Sequence, residues 1–140
     1  MAKNSKPRKT YRPKPVNVPV TKGLLDDLAQ DMHFALMGLG HQDNSPDNWK
    51  KLGRVIFTVS IAADDNERVG FGDKVLLDSA VLTLKAISDR EERTKVWTMT
   101  EADRSSLING AIAAENIIPL LDYRKLSSAN TAFRAYASAI

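Results

Sequence analysis

Six cations, Lys3, Lys6, Arg8, Lys9, Arg12 and Lys14, precede residue 21 with no acid among them; Tyr11 and the prolines Pro7, Pro13, Pro15 and Pro19 are interspersed. Cations every one to three residues suit a nucleic-acid backbone, because each phosphate neutralised releases a condensed counterion, and Tyr11 offers a ring that can stack on a base. Proline reduces the entropy lost when such an arm is ordered, and arms of this type follow phosphates or enter minor grooves. The same cations also suit an acidic protein surface, that of a sister subunit included, or a solubilising tail that binds nothing specific. The prolines do not form a Pro-x-x-Pro core, which disfavours an SH3-type ligand.

Other residues offer less chemistry. His33 and His41 are eight apart, with Asp31 and Asp43 beside them, a spacing that matches no standard metal pattern. The clusters Asp26-Asp27-Asp31, Asp64-Asp65-Glu67 and Asp89-Glu91-Glu92 sit at helix ends or on polar faces and read as solvated surface acids. Val69-Gly70-Phe71-Gly72-Asp73-Lys74 faintly echoes a phosphate-cradling turn but lacks P-loop spacing and a preceding strand, so it reads as a helix-to-helix turn. No Gly-x-Ser-x-Gly elbow appears, and the absence of cysteine removes thiolate nucleophiles, zinc-thiolate sites and disulfides together. Neither catalysis nor a cofactor or metal is expected. Trp49 starts an apolar stripe and reads as a core anchor, whereas Trp97 lies in a segment the pattern does not assign.

The elements that would carry these residues are helical. Residues 1-20 form a basic, proline-containing arm, extended or polyproline-like, whose alternating Val16, Val18 and Val20 could lie as a ribbon along the body of residues 21-140. Leu25, Leu28, Met32, Ala35 and Leu39 recur at helical spacing, and this first helix should stop at Gly38 or Gly40. Ser45-Pro46-Asp47 supplies an N-cap, a first-position proline and an early acid to a second helix, which carries Trp49, Leu52, Ile56, Val59 and Ala63 and should be the most buried. A third helix is expected near Asp73 to Arg93. Thr100 with Asp103 resembles a capping box that opens a fourth, and Pro119 bends or ends it. Leu126, Ala129, Phe133, Tyr136 and Ile140 mark a fifth. The expected fold is all-α, about five helices in a bundle or irregular helical domain.

With 43% hydrophobic and 26% charged residues, the composition is that of an ordinary globular domain. Net charge is +3, and removing the six arm cations leaves −3 on residues 21-140. No apolar run is long enough to span a bilayer and no secretory signal opens the chain, so a cytoplasmic protein without membrane contact is expected. At 100° per residue, Phe34 and Met37 lie off the main stripe of the first helix; with Ile61 they are candidate interface residues, and together with a terminal Ile140 they suggest a homodimer.

The order Tyr-Arg-Pro-Lys-Pro-Val (Tyr11 to Val16), Met-His-Phe-Ala-Leu (Met32 to Leu36) and Val96-Trp97 resembles small proteins of temperate bacteriophages and prophages, a group with no established activity or site residues to carry over. The resemblance implies an accessory protein in a bacterial host cell that binds and redirects a macromolecule. Two functions follow as expectations, with a small enzyme a third and disfavoured alternative because no catalytic constellation is present in the sequence. One is a nucleic-acid-binding accessory protein using Lys3, Lys6, Arg8, Lys9, Tyr11, Arg12 and Lys14. The other is a protein-protein effector that inhibits a host defence or transcription complex through the acidic body, the arm or both.

Overall fold

A computed structural model describes residues 17-40 and 45-138. Five helices pack together, and no strand occurs among the described residues. They are α1 (Lys22–Gly40), α2 (Pro46–Ala63), α3 (Phe71–Thr94), α4 (Glu101–Ile117) and α5 (Tyr123–Ser138), with a single 3-10 turn, Ile118–Leu120, between the last two. The arm residues before Asn17, together with His41, Asp43 and Ile140, lie outside the described residues.

The ends of the helices follow local chemistry. The Ser45 hydroxyl accepts the Asn48 backbone N–H, and Pro46 takes a position where a missing N–H costs nothing. At Thr100 the capping box is complete: its hydroxyl accepts the Asp103 N–H and the Asp103 carboxylate accepts the Thr100 N–H. Pro119 stops α4, and the chain tightens into the 3-10 turn before α5 begins. Helix α3 starts two residues earlier than the pattern indicates, because Gly70 takes the extended N-cap conformation and Phe71-Gly72 form its first turn. It ends at Lys95, which holds the left-handed conformation at φ 64° and donates its N–H to Glu91.

Helix α2 is the centre of the fold and packs against each of the other four. Its apolar positions surround it, so it buries residues on most of its circumference, from Trp49 through Leu52, Val55, Ile56 and Val59 to Ala63. Leu28 of α1, Ile56 of α2, Leu84 of α3 and Ala114 of α4 are all fully buried in one core, as their stripes require. Trp49 is buried too, and its indole N–H donates to the Leu84 carbonyl at 3.0 Å, which ties α2 to α3. Trp97, in the extended connection after α3, closes that end with its ring 5.5 Å from Trp49. Among the described residues, no helix is long and apolar enough to cross a membrane.

Candidate binding groove and the root of the arm

The arm joins the body through Asn17 to Val20, which run extended against the corner between α4 and α5. The Val18 carbonyl accepts the Tyr123 backbone N–H at 2.7 Å, and the Val18 N–H donates to the Asp122 carboxylate at 3.2 Å. The Asn17 amide donates to the carbonyls of Leu120 and Leu121, and Val20 packs against the core. Asp122 also accepts the Arg124 backbone N–H at the start of α5 and pairs with its guanidinium at 2.9 Å. The Arg124 hydrogen bond, helped by the backbone N–H groups of Val18 and Arg124, holds the Asp122 carboxyl well below the usual carboxylate range against the opposing effect of burial. This fixes the point from which the arm leaves the body. The expected arm contacts, Lys3, Lys6, Arg8, Lys9, Tyr11, Arg12 and Lys14, lie outside the described residues.

A second feature is a groove of about 420 Å³ over α2. It is lined by Trp49, Phe57 and Ile61 of α2, by Lys85, Ser88 and Asp89 of α3 and by Ala132, Phe133 and Tyr136 of α5. The rings run as a chain: Trp49 to Phe57 at 6.1 Å, Phe57 stacked on Phe133 at 5.8 Å, and Phe133 to Tyr136 at 6.1 Å. Tyr136, expected on the buried stripe of α5, is instead exposed at the mouth of the groove, as is Ile61. A mostly apolar concavity lined also by one cation, one carboxylate and the hydroxyls of Ser88 and Tyr136 has the composition of a binding site.

The candidate interface residues Phe34, Met37 and Ile61 are all exposed, but they do not come together. Ile61 belongs to the groove. Phe34 and Met37 line a separate depression on α1 with Asp26 and His33, and the Lys51 ammonium lies 5.5 Å from the Phe34 ring. The glycine turn before α3 is a helix-to-helix turn: Lys74 reaches back to the carbonyl of Asp64 at 3.1 Å and to its carboxylate at 3.8 Å. Among the described residues no three His, Cys, Asp or Glu side chains converge as a metal site.

One cluster corrects the reading of the first acidic group as solvated. Arg54 of α2 is only 8% exposed, and its guanidinium donates to Asp27 at 2.6 Å, Asp31 at 2.7 Å and, through Nε, Asn130 of α5 at 2.8 Å. The Arg54 hydrogen bond lowers the Asp27 pKa despite partial burial; burial opposes the Arg54 charge, but its hydrogen bonds to both acids outweigh it and raise its pKa. The signal was present in the sequence, since Arg54 stands inside an apolar run and Asp27 and Asp31 are one turn apart, so all three needed partners. Three of the five N–H donors of Arg54 are engaged by Asp27, Asp31 and Asn130, so the cluster ties α1, α2 and α5 together. Compared with protein-family models, curated proteins and solved structures, the chain matches none.

Proposed function

We propose that this chain is a non-enzymatic accessory protein of the bacterial cytoplasm that binds nucleic acid through its N-terminal arm. The observation that carries the reading is the density of cations before residue 21, six without one acid, on a segment whose root is fixed to the body by Val18, Asp122 and Tyr123. Tyr11 adds a stacking contact.

Deleting residues 1-15 tests this, because the deletion spares every contact made by Asn17, Val18 and Val20. The truncated protein keeps its helical circular dichroism and loses most affinity for DNA and RNA. For the intact protein on duplex DNA, six phosphate contacts give a log-log salt slope of about −5, and each neutralised cation flattens it by about one unit. Equal affinity of the two forms across about 50 to 200 mM salt removes the arm from the argument.

The groove favours a second reading, a protein-protein effector whose partner inserts an apolar side chain between Ile61 and Tyr136. A pull-down from nuclease-treated bacterial lysate separates the two. A partner retained by the truncated protein and lost with Ile61→Asp supports the effector, and one lost only on truncation supports the arm.

A further inference from the structure

Helices α3 and α4 lie side by side, and three contacts fix their seam. Gly110 sits against Ala80, the Thr83 and Ser106 hydroxyls are 2.8 Å apart, and Arg90 pairs with Asp103 at one end. Leu77, Leu84 and Ile87 of α3 and Leu107, Ala114 and Ile117 of α4 turn inward to the core. At 100° per residue Leu76 stands at the seam, and the side away from the core carries Ser79 and Ala86 on α3 and Ser105, Asn109 and Asn116 on α4, all exposed. Val75 and Leu82 continue the face on α3 and Ile112 on α4, also exposed. Between residues 72 and 86 and between 102 and 116 this face holds no charged residue, in a chain that is 26% charged. The charges of these stretches fall beside or behind it: Asp78 and Lys85 border the Leu82 line on the far flank of α3, Asp73 and Lys74 lie on the inward side and far flank of its first turns, Arg104 and Glu115 lie on the far flank of α4, and Asp103 is taken up in the seam by Arg90. An uncharged, partly apolar centre rimmed by both signs of charge is the anatomy of a protein interface.

We infer that this α3–α4 face binds a second copy of the chain. An isologous contact must be complementary to itself. A charged face meets its own charges across the two-fold, whereas this one meets none, and its serines and asparagines offer both donors and acceptors to the same groups on the copy. Laying two antiparallel helices on their equivalents produces a four-helix layer of ordinary packing. The area suffices: about 15 residues at 1.5 Å rise by two helix widths is roughly 450 Å² in projection, and the corrugated helix surface raises this towards the ~800 Å² per partner of a standard interface. Leu82, 67% exposed, is on the same line of α3 as Val75 and the 84% exposed Phe71, giving apolar contacts at spacings of four and seven. The α1 face of Phe34 and Met37 lacks these properties, since Asp26, His33 and Lys51 intrude on it.

Light scattering on the nuclease-treated full chain tests the assignment. The intact protein is a dimer at about 100 µM, and Leu82→Glu and Ile112→Glu each weaken association by at least about tenfold while circular dichroism and melting stay helical and cooperative. Both substitutions are at exposed positions of helices, so folding is retained. Phe34→Glu leaves the dimer intact. A monomer at every concentration overturns the inference, as does a dimer dissolved by Phe34→Glu and untouched by Ile112→Glu.

Discussion

A β-carbon added to Gly110 of α4 would come closer than 3.0 Å to the Ala80 Cβ of α3, a separation that real Cβ atoms essentially never show. The glycine therefore sets how near the two helices come, and with it the geometry of the seam and of the face above it. Gly110→Ala, which favours an isolated helix by about 1 kcal/mol, should here lower stability by about 1–3 kcal/mol through overpacking. Adding Ala80→Gly in the same chain returns the space, and the double variant should recover part of the loss in a urea midpoint. A stabilised single variant would place the two helices further apart.

Arg54 is the residue whose removal should cost most among the charged side chains. Arg54→Ala leaves Asp27 and Asp31 facing each other and Asn130 without its partner, with an expected loss of about 2–4 kcal/mol. Asp27→Asn should cost roughly 1 kcal/mol or less, because the Asp27 side chain is 46% exposed and water replaces what it loses. Chemical denaturation of both variants checks the order. Equal losses would mean that Arg54 acts by its packed carbon chain and not as the shared partner of two acids.

The fold was legible where its signals are local. Ser45-Pro46-Asp47, Thr100 with Asp103, and Pro119 each specify a helix boundary within four residues, and each boundary stands where the sequence puts it. Of the two glycine stops the sequence offers α1, the helix ends at Gly40; Gly38 lies inside it, where a β-carbon would meet the Asn48 side-chain oxygen of α2 at 2.6 Å, a partner no local pattern reveals. The same holds for the site features. Arg54 finds its partners 23, 27 and 76 residues away, and Val18 meets Asp122 across 104. Periodicity identifies the face of a helix but not its neighbour, so it exposed Phe34, Met37 and Ile61 without revealing that Ile61 alone lines the aromatic groove.

The Thr58 hydroxyl of α2 is fully buried and has no hydrogen-bond partner among the described residues. A buried hydroxyl without a partner carries its desolvation cost unrelieved, so Thr58→Val, which keeps the shape and removes the polar atom, should raise stability by about 1 kcal/mol. Thermal melts of the two proteins read this directly. A destabilised Thr58→Val would show that the hydroxyl is satisfied in solution.

Acid should loosen three places at once. Asp27 is held below the ordinary carboxylate range chiefly by its hydrogen bond from Arg54, and Asp122 by that from Arg124. For Asp103, burial pushes the other way but is outweighed by the Thr100 backbone N–H and by Arg90. A carboxylate whose folded pKa is depressed contributes stability that is fully present above its unfolded value, near 3.9, and is lost as pH falls through the folded value. The urea midpoint should therefore hold steady from neutral pH to about pH 5 and fall progressively below about pH 4. Because the folded state takes up these protons last, Asp27→Asn should give a shallower fall, at the expense of a lower plateau at neutral pH. Asp122→Asn should do the same and, by weakening the hold on the Val18 N–H, speed hydrogen exchange there more than at buried sites in α2. A midpoint that rises on acidification, or an acid limb unchanged in both variants, would remove these carboxylates from the account of what holds α1, α2 and the root of the arm in place.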